Sequence, residues 1–334
     1  MKDYITGCGL PLTKIGDVLV PRLILGHLPF IGESYQGSEK NREYTARFSD
    51  IRNTVKIMRI AVKYGLTVTA AGIMPNNRLT SLFFEAIKET EKLTNTEIAL
   101  IPCIQIPLTI HGTPVDTYRR WFTYYEIERH IIGKETLKKY LEDPVLQCRR
   151  GWKTKFKETL QYSKPYGKKE LENLQIDYES LDREITILED FNILFAELGS
   201  ETDFLTMTNK LDLLETLVDY VGSRHGHRVL LGAHHAGTTI PKLENSKIKF
   251  DGYVTPINRI GAMMFPTRGT ALEAIKTIKR PIIAIKPLAG GRIKPREALE
   301  HIYKEIGISF CMIGVGSKSE AEEDFSTALQ ILKE

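Results

Sequence analysis

The chain has 334 residues, 42% of them hydrophobic and 26% charged, with a formal net charge of +4. Those figures exclude a disordered or collagen-like chain and leave enough apolar material for a core that needs no disulfide staples. The small positive excess suits a carboxylated or phosphorylated small molecule and does not call for nucleic acid.

No run approaches the ~20 apolar residues of a membrane helix, and the first residues lack the apolar stretch of a signal peptide. The four cysteines, Cys8, Cys103, Cys148 and Cys311, form no CxxC pair. Reduced thiols and a cytoplasmic location are therefore expected.

Short aliphatic runs alternate with amphipathic stretches. The first strand is expected at 22–26 (RLILG), followed by a polar loop over 32–48. Asp50 can cap a helix reaching Tyr64, with Val55, Met58 and Val62 on one stripe and Gly65 as its stop. A second strand, 66–71, precedes a helix near 80–93, and a third strand covers 97–106. The rhythm then breaks into an insertion, roughly 111–180, with basic pairs such as Arg119–Arg120 and Arg149–Arg150 among Trp121, Tyr124, Tyr140 and Trp152. Strands follow at 203–207, 228–233, 250–255, 281–286 and 309–314. Helices are expected at 270–278, from Pro295 to Ile306 before Gly307, and at 320–332.

Eight runs that read as buried on both faces, each followed by helical material, predict one (β/α)8 TIM barrel over residues 1–334. The insertion lies after the third strand, so it falls on the C-terminal face, where it would form a lid or wall over the mouth.

Barrel sites are built from strand C-termini and the loops that follow. That rule selects His27, Gln105, Thr206, His234, His235, Asn258 and Lys286, with Glu33 and His111 close behind. Lys286 ends an apolar strand, where an amine can act as nucleophile or base, or simply hold a carboxylate or phosphate. His234, His235 and His27 are candidate acid/base groups. Their spacing has none of the tight pattern of a zinc motif, so no metal is expected.

The last third of the chain resembles the aldo-keto reductase superfamily. The residues that carry the likeness are KPLAGGRI (286–293), similar to the family's PLGGG segment on strand seven, and IGVGSKSEAEED (313–324), similar to its strand-eight segment. HRVLLGAHHAGTTIPKLE (227–244) and FDGYVTPIN (250–258) resemble its fifth and sixth strands.

The resemblance implies NADP(H) held at Gly290, Gly291, Gly316, Ser317, Lys318 and Ser319. Glycines let backbone approach a phosphate, and the start of the last helix offers N–H groups. The family's Asp, Tyr, Lys and His set has no counterpart here. Strand two reads TVTAA, 74–77 read MPNN where the tyrosine is expected, and strand three offers Gln105 in place of a lysine.

The resemblance therefore implies an oxidoreductase reducing a small carbonyl compound with a non-standard catalytic set: Lys286, His234, His235 or His27 for chemistry, and Gln105, Asn258, Glu33 and His111 for substrate. Two alternatives stand beside it. One is a lyase, aldolase or isomerase acting on a phosphorylated small molecule through Lys286 and a histidine. The other is a non-catalytic protein whose basic insertion meets a partner such as RNA.

Overall fold

The computed structural model describes residues 9–74 and 77–334. Cys8, and Pro75 and Asn76 of the MPNN segment, lie outside the described residues. Eight parallel strands close into a barrel in chain order: Leu23–Gly26, Val68–Ala71, Ala99–Ile104, Ala196–Leu198, Val229–Gly232, Gly252–Pro256, Ile282–Ile285 and Phe310–Gly314, the last pairing back onto the first. This is the predicted (β/α)8 barrel. Among the described residues no helix is long and apolar enough to cross a membrane.

Side chains alternate along each strand, so every second residue enters the barrel. The interior is a distinct cluster that includes Ile24, Val68, Ile101, Leu230, Val254, Ile283 and Phe310 from seven of the strands and Phe195 from just before the fourth. An antiparallel hairpin, Leu12–Ile15 with Val18–Pro21, closes the N-terminal end by placing Ile15 and Val20 in that cluster. The opposite end is left for polar groups.

Helix ends follow the local chemistry of the chain. Asp50 accepts the Arg52 N–H at the start of helix Ile51–Lys63, and Gly65 beyond its end has a φ of 83°. Asn77 caps Arg78–Thr94 in the same way. Ser317 caps the final helix, Lys318–Lys333.

One close approach sets a sharp requirement. A Cβ on Gly252 would lie 2.5 Å from the Pro281 carbonyl oxygen in the neighbouring chain segment. Backbone on both sides cannot yield without breaking strand pairing, so Gly252→Ala should cost about 2 kcal/mol or more in chemical denaturation. A loss below about 0.5 kcal/mol would show that the two strands separate freely.

The fourth strand is not where the sequence pattern puts it. Residues 203–207 lie in a short helix, Glu201–Met207, and the strand is Ala196–Leu198. All five residues of the DFLTM run are buried, which made them resemble a strand. Glu201 and Asp203 instead favour the first turn of a helix, while the true strand was disguised by a charge at its centre, Glu197. Thr206 consequently moves off the list of strand-end groups.

The insertion opens with a small antiparallel sheet, Leu108–Ile110 with Thr113–Pro114 and Leu174–Ile176. Its main helices are Thr117–Ile132, Glu135–Glu142 and Trp152–Tyr162. Its aromatic residues form a core: Trp121, Tyr140, Trp152 and Phe156 are buried and pack edge-on or stacked with one another, and Phe265 of the barrel joins them. Polar ties pin this unit to the barrel loops. Arg120 pairs with Glu201, Lys139 donates to the Gly261 carbonyl at 2.6 Å, and the Met263 N–H donates to Asp143 at 2.8 Å.

Candidate active site

The alternation that fills the barrel also decides what reaches its mouth. Two residues beyond inward Phe195 comes Glu197, and two beyond inward Ile101 comes Cys103. On strand five the next inward position after Leu230 is Gly232, where a Cβ would press on the Leu198 carbonyl at 2.9 Å. The backbones of strands four and five therefore approach closely beside Glu197. Lys286 follows strand seven in a left-handed conformation, φ 56°, which is uncommon for a residue with a side chain and recurs at functional positions.

Lys286 and His234 meet, with Nζ 3.2 Å from Nε2. Burial and then the Lys286 charge hold the His234 pKa well below its ordinary value. The imidazole is therefore neutral, and its Nε2 accepts from the ammonium group. The tautomer is thereby set, with the hydrogen on Nδ1, a buried atom without a hydrogen-bond partner among the described residues. The Lys286 ammonium also lies over the Tyr35 ring, 5.1 Å from its centroid.

Glu197 shares this space. Burial raises its pKa to about 7, against the opposing pull of the Lys286 charge and a hydrogen bond from Cys103. The Cys103 thiol is pushed far up by burial and by Glu197 and Glu201, which makes it a poor nucleophile.

Because the folded state holds the Glu197 proton more tightly than the unfolded chain, this group favours folding below about pH 4.5, and the benefit fades as pH rises to about 7. Glu197→Gln should therefore stabilise the protein by about 2 kcal/mol at pH 8 and by little at pH 4. Thermal melts at the two pH values measure it, and equal gains at both would refute the raised pKa.

His235, adjacent in sequence, turns the other way. It is 1% exposed and its Nδ1 lies 2.8 Å from Oε1 of Glu128, a fully buried residue of the insertion. Burial pulls the His235 pKa down, but the Glu128 carboxylate outweighs it and the net shift is upward. Glu128 also accepts from the Tyr140 and Thr238 hydroxyls, at 2.5 and 3.1 Å. Asp203 accepts the backbone N–H groups of both histidines and the Thr239 hydroxyl. His235 is thus a clamp between barrel and insertion.

The remaining candidates scatter. His27 is 8% exposed and sits where a Cβ on Gly72 would meet its Nε2 at 3.0 Å; burial lowers its pKa to about 4. Asn258 is fully buried and spends its amide on Ala262 at both ends, shaping a loop. Glu33 accepts from Asn41 at 3.0 Å. Gln105 is exposed, its N–H donating to Glu184. His111 is exposed at the tip of the insertion hairpin. Among the described residues no three His, Cys, Asp or Glu side chains converge as a metal site requires.

The expected cofactor loops differ from each other. Gly290 and Gly291 are left-handed, φ 68° and 75°, and Gly291 is exposed. After strand eight, Gly316 is buried against the Tyr44 ring. Its N–H donates to Glu320 at 2.7 Å, while Ser317 accepts the Glu320 N–H at 3.2 Å. Arg47 donates to the Gly316 carbonyl. Lys318 and Ser319 remain exposed.

No protein-family profile matches the chain, and no curated protein matches it in sequence. Solved structures do match. Two structures of Pseudomonas aeruginosa proteins assigned to the aldo-keto reductases are 14% identical. The first has a TM-score of 0.52 over 96% of this chain and 95% of its own. The second has 0.51 over 98% and 96%. A Bombyx mori aldo-keto reductase in complex with NADP is 10% identical, with a TM-score of 0.41 over 97% and 92%. The chain has the fold of the aldo-keto reductases.

Proposed function

We propose that this chain is an aldo-keto-reductase-like oxidoreductase that reduces a small carbonyl compound with NADP(H), using Lys286 and His234 where the family's proton-donating set is missing. The observation that carries this reading is the 3.2 Å contact between Lys286 Nζ and His234 Nε2 at the C-terminal end of the barrel.

The residues fit the cofactor in part. The turn at half-buried Gly290 and exposed Gly291 can approach a phosphate, and Lys318 and Ser319 can meet another with their side chains. The Gly316 amide and the Ser317 hydroxyl are already spent on Glu320. Bound there, the cofactor supplies the hydride.

The chain supplies the proton. Lys286 donates from its ammonium group to the carbonyl oxygen as negative charge develops there, and His234 holds that ammonium in place. Glu197, which keeps its own proton up to about pH 7, stands within electrostatic reach of Lys286 to restore it. The net change is one carbonyl, one hydride and one proton becoming an alcohol.

Isothermal titration with NADPH tests the reading. A dissociation constant in the micromolar range is expected, together with NADPH oxidation on a panel of small aldehydes and ketones. No binding at millimolar NADPH ends it.

A second reading rests on the same pair: a lyase or aldolase in which Lys286 forms an imine with a phosphorylated carbonyl substrate. Borohydride trapping that fails in Lys286→Ala but succeeds in the unaltered chain would select it.

A further inference from the structure

A recess of about 900 Å³ opens beside the barrel mouth, between the loop after strand one, the insertion and the turn after strand seven. Four arginines line it, Arg42, Arg149, Arg150 and Arg292, and no aspartate or glutamate does. Among the described residues none of the four forms an ion pair with a carboxylate, whereas Arg119, Arg120 and Arg129 of the same insertion all do.

Two of the four have defined neighbours. Arg292 donates to the carbonyls of Tyr35, Ala289 and Pro144 at 3.0, 2.7 and 3.0 Å. Arg149 lies over the rings of Trp121 and Trp152, 5.4 and 5.8 Å from their centroids. It is open to solvent by surface area, yet stands deep in the concavity, where surrounding protein pushes its guanidinium pKa down. Helix Ser38–Phe48 begins at the recess, with Gly37 as an N-cap that offers no side-chain cap, and both Gly37 and Ser38 line the space. Guanidinium forks and helix N–H groups facing one cavity are the donor set of phosphate recognition. Cations gathered without a counter-charge repel one another until an anion arrives.

We propose that this recess is a binding site for the phosphate monoester or pyrophosphate group of a small molecule, with Arg149 as the seated donor, Arg42 and Arg150 as arms that close on the charge, and Arg292, whose terminal N–H groups are already donated to Tyr35, Ala289, Pro144 and Cys148, adding its positive charge. The site goes beyond the reductase reading and stands without it. The charged group can belong to a phosphorylated substrate or to a dinucleotide, and the chemistry recognised is the same.

The chain's two tryptophans both lie beneath Arg149, so their fluorescence reports occupancy directly. Inorganic pyrophosphate is titrated into the full chain and should change that emission with micromolar affinity that weakens as salt rises. Arg42→Gln and Arg150→Gln alter exposed side chains that carry no packing, and each should weaken binding about tenfold, the pair about a hundredfold, with the melting temperature unchanged. Arg150→Lys should recover part of the loss.

Displacement of pyrophosphate by a pentose phosphate but not the pentose assigns the charge to a substrate. Displacement by NADPH assigns it to the cofactor. Either supports the site. No emission change or heat at millimolar pyrophosphate, or equal affinity in the double variant, overturns it. Pyrophosphate binding without NADPH binding would end the reductase reading and leave this one standing.

Discussion

Lys286→Met lowers carbonyl-dependent NADPH oxidation by roughly 10²- to 10⁴-fold, the range that positioned acid catalysis supplies. Methionine matches the apolar stem of lysine up to Cε but lacks the amine and has no proton to give, and His234 loses the group that fixes its tautomer. The defect should fall on kcat, with NADPH affinity unchanged within about twofold, because on the proposed reading the ammonium would act on the developing alkoxide rather than on the nucleotide.

Backbone strain offers an independent check. Lys286 holds φ at 56°, a conformation that costs a residue with a Cβ about 1 kcal/mol and costs glycine nothing. Lys286→Gly should be as inactive as Lys286→Met yet no less stable than the parent. A Lys286→Met protein with more than a tenth of the parental kcat would remove Lys286 from the chemistry.

Glu128→Ala destabilises the protein by about 3–5 kcal/mol at pH 6, since removing one member of a buried ion pair strands the other. Here it strands the His235 imidazolium and leaves the Tyr140 hydroxyl, 2.5 Å from Glu128 Oε2, without its acceptor. The pH dependence has a definite sign. The His235 pKa is raised above 6.5 in the folded protein. Its contribution is therefore complete below about pH 6.5 and is lost as pH climbs through the raised value. The difference between parent and Glu128→Ala should narrow from pH 6 to pH 9 in denaturant melts. A constant difference, or one below 1 kcal/mol at pH 6, would mean that the pair is not ionised.

The barrel was legible because parallel strands buried on both faces leave continuous aliphatic runs, and seven of the eight stand where those runs are. The fourth failed for a physical reason: Ala196–Leu198 is three residues long and carries Glu197 at its centre, so a buried charge interrupts the apolar pattern that marks the other strands. The ILFAEL segment at 193–198 was the available signal. Glu197 was missed with it.

The meeting of Lys286 and His234 at the barrel mouth was legible from strand-end position alone. The split between His234 and His235 was not, because it depends on Glu128, 107 residues earlier, and sequence spacing says nothing of such a partner. The four-arginine recess joins three distant loops and was equally invisible. The insertion's aromatic residues read as companions of its charges, and they proved to be its own core.

The attachment of that insertion at Glu201, Gly261, Met263 and His235 has a kinetic consequence. A porch bolted at several separated points does not swing, so arrival of a ligand is governed by collision and electrostatic attraction rather than by waiting for a gate. Its association rate should track ionic strength and viscosity, and the protein should choose among visitors by the outline of an entrance already cut to size.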